Sequence, residues 1–179
     1  MKIAIEAQRI FRPNKHGMDF VALETIRELQ KRNDGNQYYV IVAPGEDRCL
    51  ENSANLSIIE VKYPTYPLWE QIGLPQAIKR LGVDLLHCTS NTAPLWCPVP
   101  LVLTLHDIIY LEPRQHRSPS LYQEMGWFYR RLVVPHIIKK CKKIITVSHF
   151  ECNCIQQALK IPVDQITTVY NGYSAHFRI

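Results

Sequence analysis

Glycine is scarce in this sequence, with seven in 179 residues, which excludes a collagen-like repeat. The hydrophobic share of 46% excludes a disordered chain. No two cysteines stand at C-x-x-C spacing. The one close pair among the six, Cys152 and Cys154, has no second pair of ligands, so no zinc site is expected and the thiols read as reduced. No stretch suits a membrane-spanning helix. The longest uncharged run, Leu85 to His106, carries Pro94, Pro98 and Pro100 together with His87, Ser90 and Asn91. Glu6 and Arg9 interrupt the only N-terminal apolar run, so no signal peptide is expected. Neither G-x-G-x-x-G nor a Walker-type loop occurs. No pair of carboxylates marks a glycosidase-type mechanism. A cytoplasmic protein is expected, with peripheral contact at the inner face of a membrane left open.

What is present is unevenly distributed. Between Arg114 and Lys143 eight Lys and Arg side chains stand against Glu124 alone, a local +7 in a chain of net +5, which leaves −2 elsewhere. Such a segment reads either as a solvated helix face or as a surface for an anionic partner: phosphate, a membrane or nucleic acid. No recognisable nucleic-acid motif accompanies it, so no nucleic-acid partner is expected. The aromatic residues there, Tyr122, Trp127, Phe128 and Tyr129, share the apolar helical stripe that includes Leu121, Met125 and Leu132, and several of them are expected in the core.

Short apolar runs alternate with helical patterns along the chain. Strands are expected at Lys2–Ala7, Tyr38–Ala43, Ser57–Lys62, Asp84–Cys88, Leu101–Leu105, Lys143–Val147 and Gln165–Tyr170. Helices are expected at Asp19–Arg32, at Leu68–Leu81 with a break or restart near Pro75, at Ser120–Lys140 with a kink or split at Pro135, and at His149–Leu159. Strands that are apolar throughout, alternating with helices, imply a parallel sheet covered on both faces. The fold class is therefore α/β: a doubly wound, mostly parallel, Rossmann-like sheet of about seven strands.

Ligands of such sheets sit beyond the carboxyl ends of the strands, so the loops there are the informative ones. The loop after the first strand ends His16-Gly17-Met18-Asp19 and opens a helix. It reads as an anion site built on helix-start amides or as a simple turn capped near Asp19. Thr89 to Pro94 is small and polar, with Asn91 at its centre, and offers hydroxyls and an amide or plain turn chemistry. The strand ending at Leu105 delivers His106 and Asp107. A histidine there can hydrogen-bond a sugar hydroxyl or a phosphate while its neighbour fixes the loop. Ser148 can cap the helix that follows it, and Asn171-Gly172 is a tight-turn signal.

In this order the pieces resemble the N-terminal domain of family 4 retaining glycosyltransferases of GT-B architecture. The matching stretches are the Gly17-Met18 loop, HCTSNTAPL from His87, LTLHDIIYLEP from Leu103, FYRRLVVPHIIKKCKKIITVSHF from Phe128, and VYNGY from Val169. The resemblance implies residues 1–170 as the acceptor-side domain, residues 171–179 as the start of an interdomain hinge at Asn171 and Gly172, and a nucleotide-binding second half that is absent from this chain. It implies transfer of a sugar from a nucleotide-sugar to a hydroxyl acceptor, a glycan or lipid-linked glycan, with retained anomeric configuration. No cofactor is implied and metal-independent chemistry is expected. Carried over by position, His16, Gly17 and Met18 approach the donor diphosphate. His106 faces the donor sugar or the acceptor hydroxyl, and Asp107 supports it. Asn91, Ser148, Arg130 and Arg131 lie toward the cleft or acceptor. His16 replaces a glycine found in many members, and His149 a frequent glutamate. A non-catalytic binding or regulatory module of the same fold, or one subunit of a split transferase, is the alternative.

Overall fold

The computed structural model describes residues 1–112 and 121–172. Arg114, Arg117 and the side chain of Tyr122 lie outside the described residues, as does the end of the chain from residue 173. Seven strands form one sheet: β1 (Lys2–Glu6), β2 (Gln37–Val42), β3 (Leu56–Glu60), β4 (Leu85–Cys88), β5 (Leu101–Thr104), β6 (Lys143–Thr146) and β7 (Ile166–Thr168). All pairings are parallel, in the order β3-β2-β1-β4-β5-β6-β7. The strand order reverses between β1 and β4, where Ile5 stands opposite His87 and Glu6 opposite Cys88. A crevice therefore opens above their carboxyl ends.

Alternation along the strands divides the core in two. Ile5, Val40 and Val42 face helix α1 (Gly17–Gln30), which contributes Ala22, Leu23 and Ile26. Ala4, Ile41, Leu86, Cys88, Leu103 and Ile144 face the opposite layer. That layer is built from helices α2 (Tyr66–Leu68), α3 (Leu74–Leu81), α4 (Leu121–Ile138) and α5 (His149–Leu159).

Three elements depart from the sequence expectation. Helix α1 begins at Gly17 rather than Asp19, because Asp19 sits in the first turn and its carboxylate accepts the His16 amide at 2.8 Å. Near Pro75 the helix restarts, as the sequence suggests, but no turn separates its pieces. Residues Trp69–Gly73 form a π-helical segment that joins α2 to α3, and Pro75 falls in the first turn of α3, where a missing N–H costs nothing. The wider turn lets Trp69 lie buried with its indole N–H donating to the Val61 carbonyl at 2.8 Å. Gly73 passes so close to Tyr63 that a Cβ would stand 2.6 Å from its ring.

Helix α4 runs through Pro135 without splitting. Proline removes one backbone bond, to the Arg131 carbonyl, but Val133, Val134, Ile137 and Ile138 anchor both sides of it in the core. The apolar stripe of α4 faces the other way from expectation. Met125, Phe128 and Leu132 are 61%, 62% and 65% exposed, because Val133, Val134, Ile137 and Ile138 already fill the buried face. Trp127 and Tyr129 pack partly against the core.

Candidate functional site

Every strand of the central four delivers a polar group to the same edge of the sheet. Glu6 ends β1 fully buried, accepting the Gln8 amide at 3.0 Å and the Thr89 amide at 3.3 Å. The Thr89 hydroxyl returns to the Glu6 carbonyl at 2.8 Å, so the carboxyl ends of β1 and β4 are tied together. Burial pushes the Glu6 carboxyl above its ordinary range, and the charge of Glu70 adds to the rise while Arg9 opposes it.

Asn91 turns the loop after β4 in the left-handed conformation, with φ 66°, which asparagine tolerates better than most residues. It is buried, and its side chain is engaged within the protein. The amide oxygen accepts the His106 N–H at 2.6 Å, and the amide nitrogen donates to Asp107 at 3.4 Å. Asp107 also accepts the Ile109 amide at 3.2 Å. The ring of His106 donates from Nε2 to the Thr89 carbonyl at 3.0 Å. A carbonyl can only accept, so the neutral imidazole carries its proton on Nε2 and leaves Nδ1 as an acceptor. Burial lowers the His106 pKa, with Arg9 helping and the Thr89 carbonyl and Asp107 opposing. Beneath it His87, in contact with the Thr104 hydroxyl at 2.8 Å, is held neutral by burial, its pKa lowered to about 4.

The start of α1 completes this edge. Asp19, with a side chain 1% exposed, holds Arg9 at 3.1 Å and Arg12 at 2.5 Å. The positive charge of Arg9 is felt at both Glu6 and His106, which places the α1 loop beside the β4 and β5 loops. His16 and Gly17 are exposed and Met18 is half-exposed at the first turn, and a Cβ on Gly17 would meet open space. Ser148 caps α5, its hydroxyl accepting the Glu151 amide at 3.1 Å, and the Glu151 carboxyl lies within electrostatic reach of Asp107.

Of the residues singled out in the sequence, His106, Asp107 and Asn91 thus form one cluster, with the His16–Met18 turn and Ser148 on its rim. Arg130 and Arg131 reach the segment that follows Asp107, and the Tyr110 hydroxyl feels both Asp107 and Arg130. The Arg131 guanidinium stacks 4.5 Å over Trp127 and donates to the Tyr110 and Leu111 carbonyls, both at 3.3 Å. Asn171 and Gly172 are exposed after β7. Among the described residues no group of His, Cys, Asp and Glu converges to hold a metal ion.

Sequence reasoning passed over the charges beneath the site. Glu70, in the π-helical segment, is fully buried, and its carboxylate accepts from Tyr66 at 2.6 Å, Thr92 at 2.5 Å, Gln71 at 3.1 Å and the Tyr129 hydroxyl. Burial raises its pKa against those four donors. The available signal was an acidic residue closing the otherwise apolar run IAIE and another next to Trp69.

The sequence profile described as Glycosyltransferase Family 4 matches residues 16–177. No curated protein matches the chain. Among solved structures, a glycosyltransferase from Rickettsia africae ESF-5 is similar, with TM-score 0.53 and 18% identity. The match covers 96% of this chain and 43% of that one, so this chain spans less than half the length of that structure.

Proposed function

The chain belongs to Glycosyltransferase Family 4, and on that premise we propose that it forms the acceptor-side half of a retaining glycosyltransferase. The reaction moves a sugar from a nucleotide-sugar to a hydroxyl of a glycan or lipid-linked glycan. The observation that carries this reading is the convergence, at the reversal of strand order, of a neutral histidine, its fixed support and a cationic helix start.

Each part has a task in that chemistry. The leaving group is a nucleoside diphosphate, whose growing charge is met by amides and partial positive charge at the α1 start and by Arg9 nearby. No metal is needed in this scheme. His106, neutral with a free Nδ1, accepts a hydroxyl proton in a hydrogen bond and orients that hydroxyl. Asn91 and Asp107 keep the histidine in place.

The test is turnover in the assembled enzyme, read as nucleoside diphosphate released in the presence of a hydroxyl acceptor. His106→Ala is expected to lower it about 100-fold with the fold intact. Unchanged kinetics in the folded variant would remove His106 from the site.

A further inference from the structure

We propose that Glu70 is a positioning residue for His106, acting through Thr92 and the turn that follows β4. That role rests on the proposed part of His106 in sugar transfer, and Glu70 itself touches neither the imidazole nor a substrate.

The turn carries two holds on His106. The Thr89 carbonyl receives the ring at 3.0 Å, and the Asn91 amide oxygen receives the His106 N–H at 2.6 Å. Where those two acceptors stand therefore decides where the imidazole stands. The turn is in its turn fixed by polar groups of other elements. Glu6 accepts the Thr89 amide at 3.3 Å, and the Asn91 amide donates to the Thr104 carbonyl at 3.2 Å. The Thr92 hydroxyl donates to Glu70 at 2.5 Å and touches the Tyr66 hydroxyl at 2.7 Å. Gln71, next to Glu70, donates to the Ala93 carbonyl at 3.3 Å and accepts the Leu95 amide at 2.8 Å.

Thr92 is 1% exposed and Glu70 is wholly buried, so both act from beneath the site. The second oxygen of Glu70 accepts from Gln71 at 3.1 Å and from the Tyr129 hydroxyl. The carboxylate thus joins the turn to α2 through Tyr66, to its own π-helical segment, and to α4 through Tyr129. Taking a carboxylate out of water is expensive, and an apolar core of the same volume commonly serves stability as well. What a fully bonded buried network adds is a fixed position for the groups attached to it. The group attached here is Thr92, the neighbour of Asn91. Asn91 stands at φ 66°, a conformation that a non-glycine residue keeps only where its surroundings hold it.

Single substitutions separate positioning from stability. Thr92→Val removes the hydroxyl that links Glu70 to the turn and keeps the shape of the side chain, and Thr92→Ser restores the hydroxyl. Tyr129→Phe takes a donor from the same carboxylate without altering the turn. In the assembled enzyme, read by release of nucleoside diphosphate, Thr92→Val is expected to lower kcat about tenfold with KM nearly unchanged, while Thr92→Ser and Tyr129→Phe stay within about twofold of wild type. In the full chain, the His106 ring resonances, identified by their loss in His106→Ala, are expected to shift in Thr92→Val and to stay in place in Tyr129→Phe, with both variants folded by circular dichroism. Thr92→Ala supplies the same readings should valine unfold the domain. Unmoved His106 resonances in Thr92→Val overturn the proposal. So does an unchanged kcat in that variant while His106→Ala is slow, or an equal loss of kcat in Tyr129→Phe. If His106→Ala leaves turnover unchanged, the catalytic part of His106 is what fails, and the resonances still decide whether Glu70 positions it.

Discussion

Acidification should destabilise the domain through His87. The imidazole is held under β4 and β5 with its pKa lowered from the ordinary 6.5 to about 4, burial being the main cause and the neighbouring His106 adding to it. Between those two values the unfolded chain binds a proton that the native state refuses. The stabilisation is therefore complete above pH 6.5 and is lost as pH falls toward 4. From pH 7 to pH 5 the loss is about 2 kcal/mol, and the full difference of about 3 kcal/mol is reached near pH 4. Glu6 and Glu70 act in the opposite sense, because their raised values favour the native state as pH falls. A single pH curve would mix these contributions. His87→Asn separates them, since the carboxyls are common to both proteins. Urea unfolding followed by tryptophan fluorescence at pH 7 and pH 5 should show the wild type losing about 2 kcal/mol more than the variant. Parallel losses would mean that His87 is protonated in the native state at pH 5, and the burial argument would fail.

Three other perturbations have definite outcomes. Gly45→Ala should lower stability by about 2–3 kcal/mol in thermal unfolding, because the new Cβ would stand 2.2 Å from the Phe11 carbonyl oxygen, which is backbone and cannot move aside. Glu70→Leu should cost about 3 kcal/mol in chemical denaturation by stranding the Tyr66, Thr92 and Tyr129 hydroxyls in a dry interior, and Glu70→Gln clearly less. Asn91→Ala should cost about 2 kcal/mol, and Asn91→Gly should recover the backbone part alone, leaving the His106 ring resonances shifted in both variants by NMR.

The fold was legible because each strand is a short, mostly apolar run and, α4 apart, the helical runs carry the period of a buried face. That pattern placed all seven strands within about two residues at each end. The α4 stripe misled because periodicity says which residues share a face and not which face is buried. Helix α4 carries two apolar faces, and Val133, Val134, Ile137 and Ile138 outcompete Met125, Phe128 and Leu132 for the sheet. The loop residues His106, Asp107 and Asn91 were legible by position alone, since strand ends are where such sheets present chemistry. Their mutual bonds were not, because Asn91 and His106 are fifteen residues apart and meet only when β4 and β5 pair. Glu70 and its hydroxyl donors come from the helical segment before α3, the β4 loop and α4, and no local spacing announces such a cluster.

The charges around the α1 start explain how that edge can meet an anion while staying folded without one. Arg9 and Arg12 would repel each other if left to themselves beside a helix N-terminus that is itself positive. Asp19, almost wholly buried in the first turn, binds both and also accepts the His16 amide. Its single negative charge does not neutralise two guanidiniums, so against Asp19 alone the turn keeps a positive surplus on side chains already positioned and partly dehydrated, with the buried Glu6 carboxyl as the other acid that Arg9 reaches. An arriving diphosphate would meet that surplus without the entropy cost of collecting flexible arginines from solvent. Burial is what chiefly lowers the His106 pKa, and the Arg9 charge adds to it by disfavouring a second cation there. A neutral imidazole beside a positive corner divides the work between two groups. In the proposed transfer, Arg9 and the α1 amides would take the phosphate charge and leave His106 free to accept a hydroxyl proton.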